Sequence, residues 1–186
     1  MPNAFIPRAT VHEWSEQIGN NPPEHQAALS RLLRDQRRLS KFVEENRESL
    51  QQASAGVSMY LVGVIIRMFE LAGGRLRGGT WEQIRAASGR IEMELGNLLP
   101  ADDKFPDRVR AVAWRAQPHI LDEALMALFD RPTTEGEADI AAGEKAKVTF
   151  LLWAAIEVLD QNWTPKPGWV GDAKYTYVKI TPPASK

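Results

Sequence analysis

Val57-Ser58-Met59-Tyr60-Leu61-Val62-Gly63-Val64-Ile65-Ile66 carries no charge, and it leads into the loop Gly73-Gly74-Arg75-Leu76-Arg77-Gly78-Gly79-Thr80. From Gln51 to Ile66 there are 16 uncharged residues, closed by Arg67. A membrane span requires about 20 predominantly apolar residues. This run is shorter and includes Gln51, Gln52, Ser54 and Ser58, so it reads as the central helix of a globular bundle, over about residues 53–72. A helix that is apolar nearly all round is expected to be surrounded by others. Gly56 and Gly63 lie one heptad apart on it. Glycine costs about 1 kcal/mol in a helix interior relative to alanine, so close approach of a neighbouring helix is expected there.

Thr80-Trp81-Glu82-Gln83 is a capping box that opens the next helix, whose apolar face continues through Ile84, Ala87, Ile91 and Leu95. Upstream, Asn21-Pro22-Pro23 is a helix start. Leu29, Leu32, Gln36, Leu39, Val43, Asn46 and Leu50 then recur at alternating intervals of three and four. That stripe predicts one long helix with a partly wet seam. No proline falls between Pro23 and Pro100, as long helices require.

Downstream, Pro106-Asp107 opens a fourth helix, kinked or restarted at Pro118 and continued by Ile120, Leu121, Ala124, Leu125 and Leu128. A last helix is expected over about residues 138–162. The segment from Thr164 onward differs in kind, with Pro165, Pro167, Pro182 and Pro183 around the β-prone stretch from Trp169 to Ile180. Gly171-Asp172 within it is a hairpin signal. The fold expected is all-α, a bundle of five or six helices over residues 1–163. Residues 164–186 form a short extended or hairpin tail packed on the bundle or on a partner.

A chain of 186 residues without cysteine has the size of one domain. It has no thiol chemistry and no disulfide. Met1 to Arg8 lacks the apolar run of a signal peptide, so a cytoplasmic location is expected. The net charge of −1 is unevenly spread: five cations lie between Arg31 and Lys41, and seven acids between Asp122 and Glu144. Such segregation steers partners or joins complementary faces.

Candidate sites follow from residue type and spacing. Gly73, Gly78 and Thr80 have the spacing of a phosphate-binding P-loop, but Gly79 stands where its lysine belongs, so nucleotide hydrolysis is not expected. A looser anion site remains, made of Arg75, Arg77, Gly78, Gly79 and Thr80 at a helix start. Arg31, Arg34, Arg38 and Lys41 share one helix face that would follow a phosphate backbone. A pI of about 6.3 speaks against a dedicated nucleic-acid domain. Trp163, Trp169, Tyr175 and Tyr177 in the tail are of the aromatic type that favours interfaces, whereas Trp81, Trp114 and Trp153 sit on apolar helical faces and are expected in the core.

His12, His25 and His119 lack the Glu-x-x-His pairing of a di-iron bundle. No metal, cofactor or complete catalytic set is expected. Glu44-Glu45-Asn46-Arg47-Glu48 and Glu157-Val158-Leu159-Asp160 resemble the two acidic motifs with which the all-α nucleotide pyrophosphatases bind magnesium. In that family the motifs lie on helices close in sequence; here more than a hundred residues separate them. What the resemblance implies is a magnesium-dependent nucleotide hydrolase using Glu44, Glu45, Glu48, Glu157 and Asp160. The leading expectation is instead a non-enzymatic protein–protein interaction module, paired with itself as a homodimer or with another protein. Anion binding through the Gly73–Thr80 loop and a nucleic-acid role for the basic face are the alternatives.

Overall fold

The computed structural model describes residues 3–175, and the chain is mostly helical. Eight α-helices occur among these residues: α1 (Arg8–Asn20), α2 (Pro22–Asp35), α3 (Arg37–Arg47), α4 (Gln52–Ala72), α5 (Trp81–Leu98), α6 (Phe105–Arg110), α7 (Pro118–Leu125) and α8 (Ala142–Asn162). A π-helical turn, Met126–Asp130, extends α7. The two short strands β1 (Arg75–Leu76) and β2 (Trp163–Thr164) pair antiparallel, Arg75 opposite Thr164 and Leu76 opposite Trp163.

The apolar run forms α4, which is long and apolar enough to cross a membrane by composition. Here it lies in the protein core, packed chiefly on α8, with α1, α2 and α3 around it. Val62, Ile65, Ile66, Met68 and Phe69 on α4 are buried, and so is every residue of α8 from Leu151 to Asp160. Burial of apolar surface stabilises by about 25 cal/mol per Å², and this helix pair supplies a large share of the buried apolar side chains. Gly63 faces α2, where a Cβ would collide with Leu29 Cδ1. Gly56 meets nothing within 4 Å, so the close approach expected at both glycines occurs only at Gly63.

The stripe from Leu29 to Leu50 forms two helices rather than one. Gln36 breaks it with φ −100° and ψ 42°. The Gln36 side chain is buried and its Nε2 donates to Arg77 O at 3.2 Å, which ties the break to the glycine loop. Ser40 Oγ then donates to the Leu33 carbonyl at 2.7 Å. Continuous α-helix would have used that carbonyl for the amide four residues on. Further α-helix precedes this region as α1.

The helix expected from Pro106 to Pro118 also stops early, at Arg110. Residues 111–117 are irregular. Arg115 satisfies carbonyls left open there, donating to Val112 O at 3.0 Å and Arg110 O at 2.5 Å. Proline disfavours the α-region at the residue before it, and Gln117 before Pro118 is left-handed, with φ 40° and ψ 58°. The last helix begins at Ala142 rather than near Ala138. The capping box is present in full: Thr80 Oγ1 accepts from Gln83 N at 3.2 Å, and Thr80 N donates to Gln83 Oε1 at 2.9 Å.

In the tail, Asp172 pairs with Phe5 near the other end of the chain, Phe5 N donating to Asp172 O at 3.1 Å and Asp172 N to Phe5 O at 2.8 Å. A Cβ on Gly171 would lie 2.5 Å from Phe5 O, so glycine permits this approach. Residues 176–186, including Tyr177 and the second half of the expected hairpin, lie outside the described residues.

Candidate functional site

The C-terminal half of α8 carries two acids, Glu157 and Asp160, one turn apart and therefore on one face. Both are buried, 8% and 7% exposed, at the floor of an open cleft of about 760 Å³. Its walls are the N-terminal segment with Asn3 and Phe5, Gln83 and Arg90 of α5, and the irregular segment from Ala113 to Ala116. Clefts of roughly 300–1,000 Å³ are the usual size for small-molecule sites.

Each carboxylate is held by one oxygen. Glu157 Oε1 accepts from Ala116 N at 2.7 Å and from Trp153 Nε1 at 3.0 Å. Asp160 Oδ1 accepts from Gln117 Nε2 at 2.8 Å and from Asn3 Nδ2 at 3.3 Å. Oε2 of Glu157 and Oδ2 of Asp160 take no hydrogen bond from the described residues and border the cleft. Burial pushes the Glu157 pKa up, against the two N–H bonds and Arg90, and the nearby Asp160 charge pushes the same way. Burial raises Asp160 as well, opposed by its bonds from Gln117 and Asn3. A buried, incompletely paired carboxylate is costly, and titratable groups perturbed in a cleft mark candidate sites.

Gln117 is the junction of this site. Its Oε1 accepts from the buried Ile6 N at 2.7 Å, and its Nε2 donates to Ala4 O at 3.2 Å as well as to Asp160. Asn3 Nδ2 adds bonds of 3.0 Å to Asp160 O and to Trp163 O. The N-terminal segment is thereby latched across the end of α8. A non-glycine residue held left-handed is strained, and such strain gathers at functional sites.

The opposite wall is a stack. The Trp114 ring lies on Trp153, centroids 4.9 Å apart and 25° between planes, and Arg90 Cζ sits 3.6 Å from the Trp114 centroid. Arg90 is exposed and reaches Glu157 through its field. Arg115 borders the cleft too, but its charge is committed, with Nη1 donating to Asp122 Oδ1 at 2.8 Å. Tyr175 hydrogen-bonds the other Asp122 oxygen and covers Arg115, with Cζ 4.8 Å from its ring. Burial first and the Asp122 bond second push the Tyr175 hydroxyl up to about 12.

The residues singled out from the sequence are distributed as follows. Glu157 and Asp160 meet in the cleft; Glu44, Glu45 and Glu48 do not. The latter are exposed at the end of α3, Glu48 just past it, where Glu44 pairs with Arg47 at 3.7 Å and Glu45 with Lys41 at 3.7 Å. No group of three or more metal-ligating side chains occurs among the described residues. The two acidic motifs therefore do not form one shared magnesium site.

Arg75, Arg77, Gly78 and Thr80 are exposed, while Gly79 is buried against α8, where a Cβ would lie 2.5 Å from Val158 Cγ1. Arg77 N donates to Asn162 O at 3.0 Å, so the loop is spliced onto the end of α8. Arg31 is tied to Asp35 at 3.9 Å and to Glu70. Arg34, Arg38 and Lys41 remain exposed.

Trp163 is 3% exposed, donates from Nε1 to Gly73 O at 2.8 Å and meets the edges of Phe69 and Trp169. Burial takes its ring away from any partner surface. Trp169 and Tyr175 are half-buried against their own bundle. Trp153 is core as expected, but Trp114 and Trp81 are only partly buried and line grooves.

Burial lowers the His25 and His119 pKa values, with Arg67 adding to the effect at His25. No protein-family model matches the chain, and neither curated proteins nor solved structures give a significant match.

Gln117 and the Trp114 wall were absent from the sequence-derived candidates. One local signal existed for part of the cleft: Trp153 and Glu157 are four apart on a helix, the spacing that lets an indole N–H reach a carboxylate.

Proposed function

We propose that the Glu157–Asp160 cleft binds a small polar molecule bearing a positively charged or N–H-rich group. The observation that carries this reading is the pair of buried carboxylates, each anchored by one oxygen and open at the other. A donor group placed between the open oxygens would offset their desolvation, the largest unfavourable term at a buried charge. Arg90 at the rim would position an acceptor on the same molecule. Trp114 is sandwiched between Arg90 and Trp153, so the carboxylates offer the principal recognition chemistry.

The test is a thermal-shift screen of small amines, guanidines and amides at neutral pH, repeated on Glu157→Gln/Asp160→Asn. Each change keeps one acceptor oxygen, replaces the other with an NH2 donor and removes the charge. Members of the cationic set should raise the wild-type melting temperature and lose that effect on the double variant. An equal response of both proteins would overturn the reading. A second reading, proton transfer to the bound molecule, is favoured by the burial that holds Glu157 toward its protonated form. Its test is turnover that Glu157→Gln abolishes while binding survives.

Contact with a second copy of the chain or with another protein is a separate proposal. It draws on the exposed apolar side chains Tyr60, Met93, Leu99 and Val170. Native mass in solution tests it, and a monomer at every concentration with no co-purifying protein would count against it.

A further inference from the structure

We infer a second binding site, independent of the cleft, that takes single-stranded nucleic acid. It is a groove of about 300 Å³ between the start of α3 and the start of α5, lined by Arg37, Arg38, Lys41 and Trp81. Arg37 and Lys41 are four apart on α3, and Arg38 and Lys41 three apart, so all three cations are neighbours on the helix surface. The break at Gln36 creates this arrangement, because it begins a new helix at Arg37. The first turn of α3 holds no acid. Cations at a helix N-terminus oppose the macrodipole, and an anion in the groove would relieve that opposition. Trp81 stands in the first turn of α5, whose N-terminus adds the same polarity.

The pairing pattern of the charges points the same way. Arg31, Arg67, Arg108 and Arg115 are each tied to carboxylates. Arg34, Arg37, Arg38, Arg77 and Arg85 form no ion pair among the described residues. Gln36 holds the Arg77 carbonyl beside the start of α3, and Arg85 follows Trp81 by one turn. Arg37 and Arg38 line the groove, and Arg34, Arg77 and Arg85 belong to the segments that adjoin its two helix starts. Opposing acids are few: Glu45 engages Lys41 at 3.7 Å, Asp35 is 3.9 Å from Arg31, and Glu82 follows Trp81. Cations that track a backbone, with an aromatic face for a base, are how proteins hold single strands without reading sequence. A groove of about 300 Å³ with further unpaired cations on the adjoining segments suits a strand better than a lone nucleotide.

The experiment is fluorescence anisotropy of a labelled twelve-residue oligothymidylate across a salt series. Wild type should bind at low salt with a log–log slope of about −2 to −3, as three or four phosphate contacts give on a single strand. Arg37→Ala/Arg38→Ala should weaken binding at least about tenfold and flatten the slope by more than one. Trp81→Ala should weaken it about tenfold and Trp81→Phe far less, since phenyl still stacks. Lys174→Ala, an exposed cation in the tail, should change nothing. The inference is overturned if the arginine pair variant binds like wild type or if Trp81→Ala loses nothing. It is overturned equally if a free nucleoside monophosphate or a duplex of the same length binds as tightly as the strand.

Discussion

Replacing Gln117 by alanine should be among the more damaging single substitutions in this protein, and replacing it by glycine should do less harm. The alanine variant loses three hydrogen bonds made by one side chain. The Ile6 amide, in a residue 0% exposed, is left without its acceptor; an orphaned buried donor costs about 1–3 kcal/mol. The bond to the Asp160 carboxylate is charge-assisted and contributes about 1.5–3 kcal/mol. The Ala4 carbonyl bond adds about 1 kcal/mol. The cleft admits water to part of this network, so the loss should total about 4 kcal/mol, a large share of a stability of roughly 5–15 kcal/mol. Glycine loses the same bonds but adopts φ 40° without the left-handed penalty, which recovers up to about 1 kcal/mol relative to alanine. Urea unfolding followed by circular dichroism and tryptophan fluorescence reads both differences. An alanine variant within 1 kcal/mol of wild type, or a glycine variant less stable than alanine, would refute the reasoning.

Gly56→Ala should stabilise by about 0.5–1 kcal/mol, since a Cβ there meets open space. Gly63→Ala should destabilise because Leu29 must move, and paired melting curves compare the two. Gly74→Ala should unfasten the loop: Gly74 has φ 83°, and a Cβ would collide with Thr164 O and lie 2.8 Å from Lys166 N, so amide exchange at Arg77 should rise well above wild type. Burial raises the folded pKa values of Glu157 and Asp160 above their unfolded values. The folded state therefore holds more protons, and the stability these groups contribute at low pH is lost as pH rises from about 4 through the raised values. The melting temperature of Glu157→Gln/Asp160→Asn minus that of wild type should grow between pH 4 and 7, and a constant difference would show that burial does not govern these groups.

The all-α class, the central helix and the capped start of α5 were legible in the sequence, because each rests on interactions within a few residues of chain. Four charge-free turns ended by Arg67 declare a core helix, and Thr80 with Gln83 declares its neighbour's cap. Glu157 and Asp160 were legible as a pair for the same reason: three residues apart on a helix is one face. The number of helices was not legible. The three-and-four spacing of the stripe continues through the polar Gln36 without a change of period, and the Gln36 side chain at the break bonds the Arg77 carbonyl, 41 residues away.

Only the tertiary structure decided that the acids border a cleft. The walls come from residues 3–5, 83–90 and 113–116, and Gln117, next to the last of these, bonds Ile6 and Ala4 beside the first, up to 113 residues away. Its left-handed backbone leaves no trace in local sequence beyond the proline that follows. The same applies to Trp81 and Trp114, which helical periodicity places inside but which the ends of neighbouring helices leave partly uncovered. Periodicity reports which face of an element is apolar; it carries no information on where the partner element ends, and both grooves lie at such ends.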